Sequence, residues 1–404
     1  MQTKVLTVAA EHPVARLDLR VAWLCGVVLF LEGYDIAAIG YAIPSLVDAW
    51  RVAPSGFTQV LTAGNIGLLL GSLCAGLPGD RVGRKPVLLS CVAAFGVFSL
   101  LSAFASSPIE MAALRFLTGL GLGGGIPLAI ALASDFAPPR GQGRLVILMS
   151  VGVPVGFTVG GLLASQLVRV FGWPAIFIVG GLLPLAMVPP LALWLPESVA
   201  LNPSTRRHNP VAALFRDGFA RSTALLWAMN LLNLFSNYVI LLWMPAILHA
   251  TGVSPSWAIF GTTMYGLGVI LGGLLTAPLV DRVGVERVLA CVLALAALCV
   301  LSIGLLNPPF WLLLVIICGT GVGVGACQAG LNSLSGRIYP PAVRSTGAGW
   351  ALGAGRVGTI AGPLLGGMLL ALGWRAQAIF ITLAIPIFSV TLLMMILGRV
   401  RHSR

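Results

Sequence analysis

Glu32 and Asp35 stand three residues apart in a stretch, Val21 to Val47, that has no other charged side chain. Because roughly 20 apolar residues cross a bilayer core, the two carboxylates lie in mid-membrane, about 18 Å and 22 Å along a helix from Arg20 at roughly 1.5 Å per residue. Side chains three apart share one helical face. Two carboxylates in a poorly solvated site are what a proton carrier needs; Asp35 is expected to carry or couple the proton, and Glu32 to assist it or position a substrate.

Two cations lie as deep. Arg356 is about 12 residues, or roughly 18 Å, into a span that starts at Arg344. A guanidinium clamps a planar carboxylate with two parallel donors, so Arg356 is either a substrate anchor or an ion-pair partner for Glu32 or Asp35. Arg115, about 9 Å into its own span from the other side, is a second candidate anion contact, with a structural or proton-coupling role expected. Charges at this depth cost several kcal/mol and must face the bundle interior or a water-filled cavity.

Neutral groups join them. Asn230, Asn233 and Asn237 fall at i, i+3 and i+7 with Tyr238 adjacent, a pattern suited to hydrogen bonding a substrate hydroxyl or carboxylate oxygen, or to bonding neighbouring helices. Tyr34, Tyr238, Trp243, Tyr265 and Trp350 are candidates for a flat apolar slot. No histidine lies deep in a span: His12, His208 and His402 are in terminal or loop segments and His249 ends a helix, which argues against a histidine relay.

The elements that hold these groups follow from composition. The 404 residues are 58% hydrophobic and 9% charged, with a mean hydropathy of +0.99, where a soluble domain carries roughly a quarter charged residues. A water-soluble enzyme is excluded. Twelve apolar spans are expected: Val21 to Val47, Phe57 to Pro78, Pro86 to Ala105, Ile109 to Ala133, Arg144 to Val168, Trp173 to Leu195, Ser222 to His249, Ser256 to Val280, Val288 to Leu306, Phe310 to Gly336, Arg344 to Ala371 and Arg375 to Leu397. Runs this long in lipid are helices, because each backbone polar group must be bonded internally. The first run is longer than a signal-peptide core and reads as an uncleaved helix.

The net charge of +12 in a soluble chain would point to nucleic acid. Here nineteen of the 24 Lys and Arg fall on one side of the alternating spans, including Arg20, Arg81, Arg84, Lys85, Arg144, Arg221, Arg282, Arg287 and Arg344, against Arg51, Arg169 and Arg375 on the other. This positive-inside bias places both termini in the cytoplasm, with the cations toward anionic lipid and no nucleic-acid partner. All seven cysteines lie in apolar spans without metal-ligand spacing and read as packing residues.

A shift of 201 to 202 residues superposes the chain on itself. Asp80-Arg81-Val82-Gly83 falls on Asp281-Arg282-Val283-Gly284, Gly119, Gly121 and Gly123 on Gly321, Gly323 and Gly325, and Gly172-Trp173 on Gly373-Trp374. An even number of helices per repeat gives two halves of the same orientation, with a site near midplane between them. The halves are 1–195 and 222–404, joined by a polar linker, 196–221. Glu32 and Asp35 align with Asn233 and Ser236, so the carboxylates occur in one half only.

The loop Gly76-Leu-Pro-Gly-Asp80-Arg81-Val-Gly83-Arg84-Lys85, together with Leu195-Pro196-Glu197-Ser198, resembles the marks of the major facilitator superfamily. Within it, Glu32-Gly33-Tyr34-Asp35-Ile-Ala-Ala-Ile-Gly40 and Arg344-Ser-Thr-Gly-Ala-Gly-Trp350-Ala-Leu-Gly-Ala-Gly-Arg356-Val-Gly resemble the aromatic acid:proton symporter family, whose pattern has Asp at the position of Glu32. The resemblance implies uptake of a benzoate, hydroxybenzoate or hydroxyphenylpropionate with protons by alternating access, and no cofactor besides the coupling proton. When the halves close at the cytoplasmic side, Asp80 is expected beside Arg344 and Asp281 beside Arg144, with Arg81 and Arg84 in the same gate. The alternatives are a drug:proton antiporter of the same fold and a polytopic membrane enzyme, which lacks any HExxH, His cluster or Ser/His/Asp set here.

Overall fold

The structure, a computed structural model, describes residues 19–74, 78, 82–136, 149, 151–197, 214, 215, 219–306, 308–339 and 344–402. Among them, twelve helices are long and apolar enough to cross a membrane. They are α1 (Leu19–Trp50), α2 (Thr58–Cys74), α3 (Arg84–Ser102), α4 (Pro108–Asp135), α5 (Gly152–Phe171), α6 (Pro174–Trp194), α7 (Ala220–Ala250), α8 (Pro255–Val283), α9 (Val285–Leu306), α10 (Phe310–Ile338), α11 (Arg344–Ala371) and α12 (Ala376–His402), with a 3-10 turn, Pro54–Phe57, before α2. The described residues contain no strand.

Several helix ends are written in the local sequence. Pro255, Pro174 and Pro108 open α8, α6 and α4, a place where the missing N–H is no loss. Before α4 the Glu110 backbone N–H donates to Ser107 Oγ at 3.3 Å, and Glu110 Oε2 accepts from the Ser106 N–H at 2.9 Å, a reciprocal cap. The repeat reappears in the backbone: Gly83 and Gly284 have φ of 111° and 98°, and Gly172 and Gly373 have 76° and 72°. Each pair makes the same left-handed turn between neighbouring helices, where a Cβ would be strained. The structure ends α12 at His402 rather than near Leu397, since helical hydrogen bonding continues into water after the hydropathy falls.

Packing also repeats. α1 lies on α5 as α7 lies on α11, α2 on α4 as α8 on α10, and α3 on α6 as α9 on α12. Glycines set these approaches. Gly67 and Gly71 rest on the backbone of Phe116 and Leu120, and Gly119 and Gly123 return the contact on Gly64 and Leu68; van der Waals contact of backbones is the main source of helix association in lipid. The glycine runs are therefore packing seams.

The first six and last six helices meet through α1 and α7, α5 and α8, and α2 and α11. Gly40 rests on Leu242, Gly161 on Thr263, and Gly367 on Thr58. At the end opposite the arginine-rich one, His249 Nε2 of α7 lies 3.3 Å from the Asp48 carboxylate of α1, and its Nδ1 lies 2.9 Å from the Val253 carbonyl. At the arginine-rich end Asn332, Gly349 and Trp350 are exposed.

The α2–α4 seam is open to test. Gly123→Leu drives a side chain into the backbone of Leu68 and Ser72 and is expected to destabilise by about 3 kcal/mol. Gly273→Ala, which meets no heavy atom within 4 Å, is expected to be neutral or stabilising by up to about 1 kcal/mol. Thermal unfolding midpoints in detergent check both; equal midpoints for the two variants would contradict the seam.

Candidate functional site

Asp35 sits halfway along α1 and is closed in by α3, α4 and α6. Its Oδ2 accepts from Arg115 Nη1 of α4 at 3.0 Å, and its Oδ1 accepts from the Ser99 hydroxyl of α3. Arg115 Nη2 donates to Ser102 Oγ and Thr118 Oγ1, each at 2.9 Å, and the guanidinium stands 5.0 Å over the Phe177 ring of α6. Both charges are almost fully buried, at 1% and 3% exposure. A buried ion pair endures only where geometry is good and remaining donors and lone pairs are met. Here three hydroxyls and a ring meet all but Arg115 Nε, which has no hydrogen-bond partner among the described residues. A cavity of about 30 Å³ beside the pair, bordered by Asn65, Thr118 and Leu242, has room for a water.

Glu32 is placed differently. One turn earlier on α1, it is wholly buried, its carboxylate lies against the Cα of Gly125 in α4, and neither oxygen has a hydrogen-bond partner among the described residues. Any side chain at position 125 would fill the space the carboxylate takes. Arg356 of α11 is the cation close enough to act on it through its field, as it does on the Tyr238 hydroxyl of α7, with no ion pair to Glu32 within 4 Å among the described residues. Arg356 is half-buried, and the glycines around it explain its reach: Gly355 rests on Asn230 and Leu234, and Gly358 on Leu231 and Phe235. Arg115 is thus taken by Asp35, and the expected pairing of Arg356 with Glu32 or Asp35 is not formed within 4 Å among the described residues.

The remaining candidates divide. Asn233 of α7 is 2% exposed and its Nδ2 donates to Gln328 Oε1 of α10 at 3.0 Å, while Asn237 Oδ1 accepts from the Tyr265 hydroxyl of α8 at 2.7 Å. Tyr34 donates to the Ile176 carbonyl of α6 at 2.8 Å and packs against Gly160 of α5. Trp243 is fully buried on Gly366, donating to the Pro363 carbonyl at 3.0 Å. Trp350 stacks on Trp227 with centroids 5.8 Å apart near the arginine-rich end. The structure thus engages Tyr34 and Trp243 in helix packing. The glycine series of α11, Gly358, Gly362 and Gly366, is likewise spent on α7.

Of the expected gate, Asp80, Arg81 and Arg144 lie outside the described residues, as do the side chains of Asp281 and Arg344. The neighbouring part is described: Glu197 Oε1, following α6, accepts from the Lys85 N–H at 3.3 Å and lies against Gly83, a carboxylate at the N-terminus of α3 where the helix dipole favours it. Ser99, Ser102, Thr118, Gly125 and Gln328 were not among the sequence candidates. The signal was present for Gln328, an amide in an apolar run that holds one other, Asn332, whereas nothing about Gly125 separates it from its neighbours in Gly119 to Gly125.

A bundle of twelve apolar helices in two repeated halves, with two wholly buried acids and a buried arginine, is the build of a membrane carrier, and comparisons with known proteins agree. The Major Facilitator Superfamily profile matches residues 25–231 and 226–404. The chain is 33% identical over 422 residues to a gallate transporter of Pseudomonas putida, covering 97% of this chain and 94% of that one. It is 34% identical over 350 residues to a 3-(3-hydroxy-phenyl)propionate transporter of Escherichia coli, covering 87% and 86%. A crystal structure of a D-xylose-proton symporter superposes with a TM-score of 0.77 at 16% identity, covering 94% of this chain and 97% of that one. The chain belongs to the Major Facilitator Superfamily and is not an enzyme.

The Asp35–Arg115 pair gives a stability test. Arg115→Leu leaves Asp35 buried and unbalanced, an expected loss of about 3 to 5 kcal/mol, and adding Asp35→Asn is expected to recover part of it. Unfolding midpoints for the two single variants and the double variant check this; strictly additive losses would show that the two groups are not coupled.

Proposed function

We propose that the protein carries a small aromatic carboxylate together with a proton by alternating access, and that the arginine-rich end faces the cytoplasm of a bacterial inner membrane. The observation that carries this reading is Glu32: a wholly buried carboxyl without a hydrogen-bond partner among the described residues. The names of the relatives, transporters of gallate and of a hydroxyphenylpropionate, support the substrate class.

Arg356 is the planar two-donor clamp for the substrate carboxylate. Once an anion occupies it, Glu32 loses its balancing charge, and taking up a proton restores neutrality. Acid anion and proton then cross together with no net charge on the moving site. Asp35 and Arg115 stay paired throughout and hold α1, α3 and α4 in register around the exchanging group, a division of labour in which Glu32 rather than Asp35 exchanges the proton. The contacts from Asp48 to His249 and from Thr58 to Gly367 close the outer end, and their separation is the other half of the cycle. The cationic loops anchor the cytoplasmic face on anionic lipid.

Vesicles bearing the protein are expected to concentrate an aromatic acid under an inward proton gradient. Glu32→Gln is expected to abolish accumulation against the gradient while exchange of labelled for unlabelled acid persists. Arg356→Lys keeps the charge but loses the fork, and affinity is expected to fall by about 1 to 3 kcal/mol. Uptake of every aromatic acid independent of the pH gradient would contradict the proposal.

A further inference from the structure

Three amides at the junction of α7 and α10, Asn233, Gln328 and Asn230, are joined head to tail in one direction, with Asn332 as a branch on Gln328. Asn230 Nδ2 donates to the Leu226 carbonyl at 2.9 Å. That carbonyl can only accept, so it sets the orientation of the amide, and Asn230 Oδ1 accepts from Gln328 Nε2 at 3.4 Å. Gln328 Nε2 also lies 3.3 Å from Asn332 Oδ1, which turns Gln328 Oε1 toward Asn233, whose Nδ2 donates to it at 3.0 Å. Each link dictates the next, and the assignment of oxygen and nitrogen along the series rests on a backbone group.

The series ends on Asn233 Oδ1. This oxygen is buried in a residue of 2% exposure, and no protein donor among the described residues reaches it. An amide that donates through its nitrogen is polarised into a better acceptor at its oxygen, and a buried acceptor left unpaired is costly. What completes it must bring a hydrogen. A carboxylate cannot, whereas a phenolic hydroxyl can. Asn233 is also the counterpart in the repeat of Glu32, and it faces α10 as Glu32 faces α4.

We infer that Asn233 selects substrates that carry a ring hydroxyl, accepting that hydroxyl's hydrogen on its side-chain oxygen, and that Gln328 is the positioning residue that keeps this oxygen turned to the substrate. The inference rests on the reading of the protein as a carrier of aromatic acids, whose carboxylate is held elsewhere, at Arg356. It separates two uses that the asparagine series alone leaves open, hydroxyl and carboxylate, in favour of the hydroxyl.

The test is equilibrium binding of benzoate and its three monohydroxylated isomers to the purified full chain. Wild type is expected to bind at least one isomer about tenfold more tightly than benzoate. In Asn233→Leu and in Gln328→Met that ratio falls to near one, and Gln328→Glu, which still accepts from Asn233 Nδ2, retains it. The ratio separates selection from general damage, since a variant that only loosens the bundle weakens all four acids together. If Asn233→Leu does not fold, Gln328→Met decides. A wild-type ratio near one for every isomer, or a ratio unchanged in the folded variants, overturns the inference while leaving aromatic acid transport standing. Failure of all four acids to bind wild type overturns both.

Discussion

A charge inside a bilayer must be balanced within the protein, and the interior of this bundle is organised by that requirement. Two acids and two arginines lie deep in the spans. Asp35 and Arg115 bond each other at 3.0 Å, and hydroxyls from Ser99, Ser102 and Thr118 take up further donors and lone pairs, leaving Arg115 Nε without a partner among the described residues. That set ties α1, α3 and α4 together. Glu32 has no such partner among the described residues, and in the proposed cycle that freedom is what permits exchange. A group locked by several short bonds resists change of partner; a carboxyl without a donor depends on whichever charge faces it.

The duplicated scaffold carries two different chemistries on equivalent positions. In the first six helices α1 presents carboxylates toward α4, where glycine leaves room for them. In the last six, α7 presents amides toward α10, where Gln328 extends them. Helix pairing is the same on both sides, so the difference lies in side chains alone. One wall handles charge and the proton, while the other offers neutral, oriented hydrogen bonds. A planar acid with a hydroxyl on its ring has a group for each.

Much of this was legible before the structure. Apolar run length gives helices because lipid leaves the backbone no other partner, and the repeat of Gly83 with Gly284 and Gly172 with Gly373 proved to be a shared positive φ. Depth along a helix is also readable, which singled out Glu32, Asp35, Arg115 and Arg356. Direction around the helix is not. Sequence spacing allowed Arg356 to pair with either acid, because a three-residue separation leaves two carboxylates nearly on one face; only the packing of α3 and α4 against α1 assigns Arg115 to Asp35. Tyr34 and Trp243 illustrate the same limit. An aromatic ring in a carrier suits a substrate slot and a helix seam equally, and the hydrogen bonds to the carbonyls of Ile176 and Pro363 are long-range facts. Gly125 was invisible for another reason: its importance is the absence of a side chain where Glu32 ends.

The central claim is that an acid bound at Arg356 and a proton taken by Glu32 are one exchange. The most direct measurement is the number of protons the detergent-solubilised protein takes from weakly buffered solution, followed with a pH indicator, as saturating aromatic acid is added. The account predicts uptake of about one proton per acid bound in wild type and none in Glu32→Gln that still binds acid. Acid binding without proton uptake in wild type, or undiminished uptake in Glu32→Gln, would contradict it.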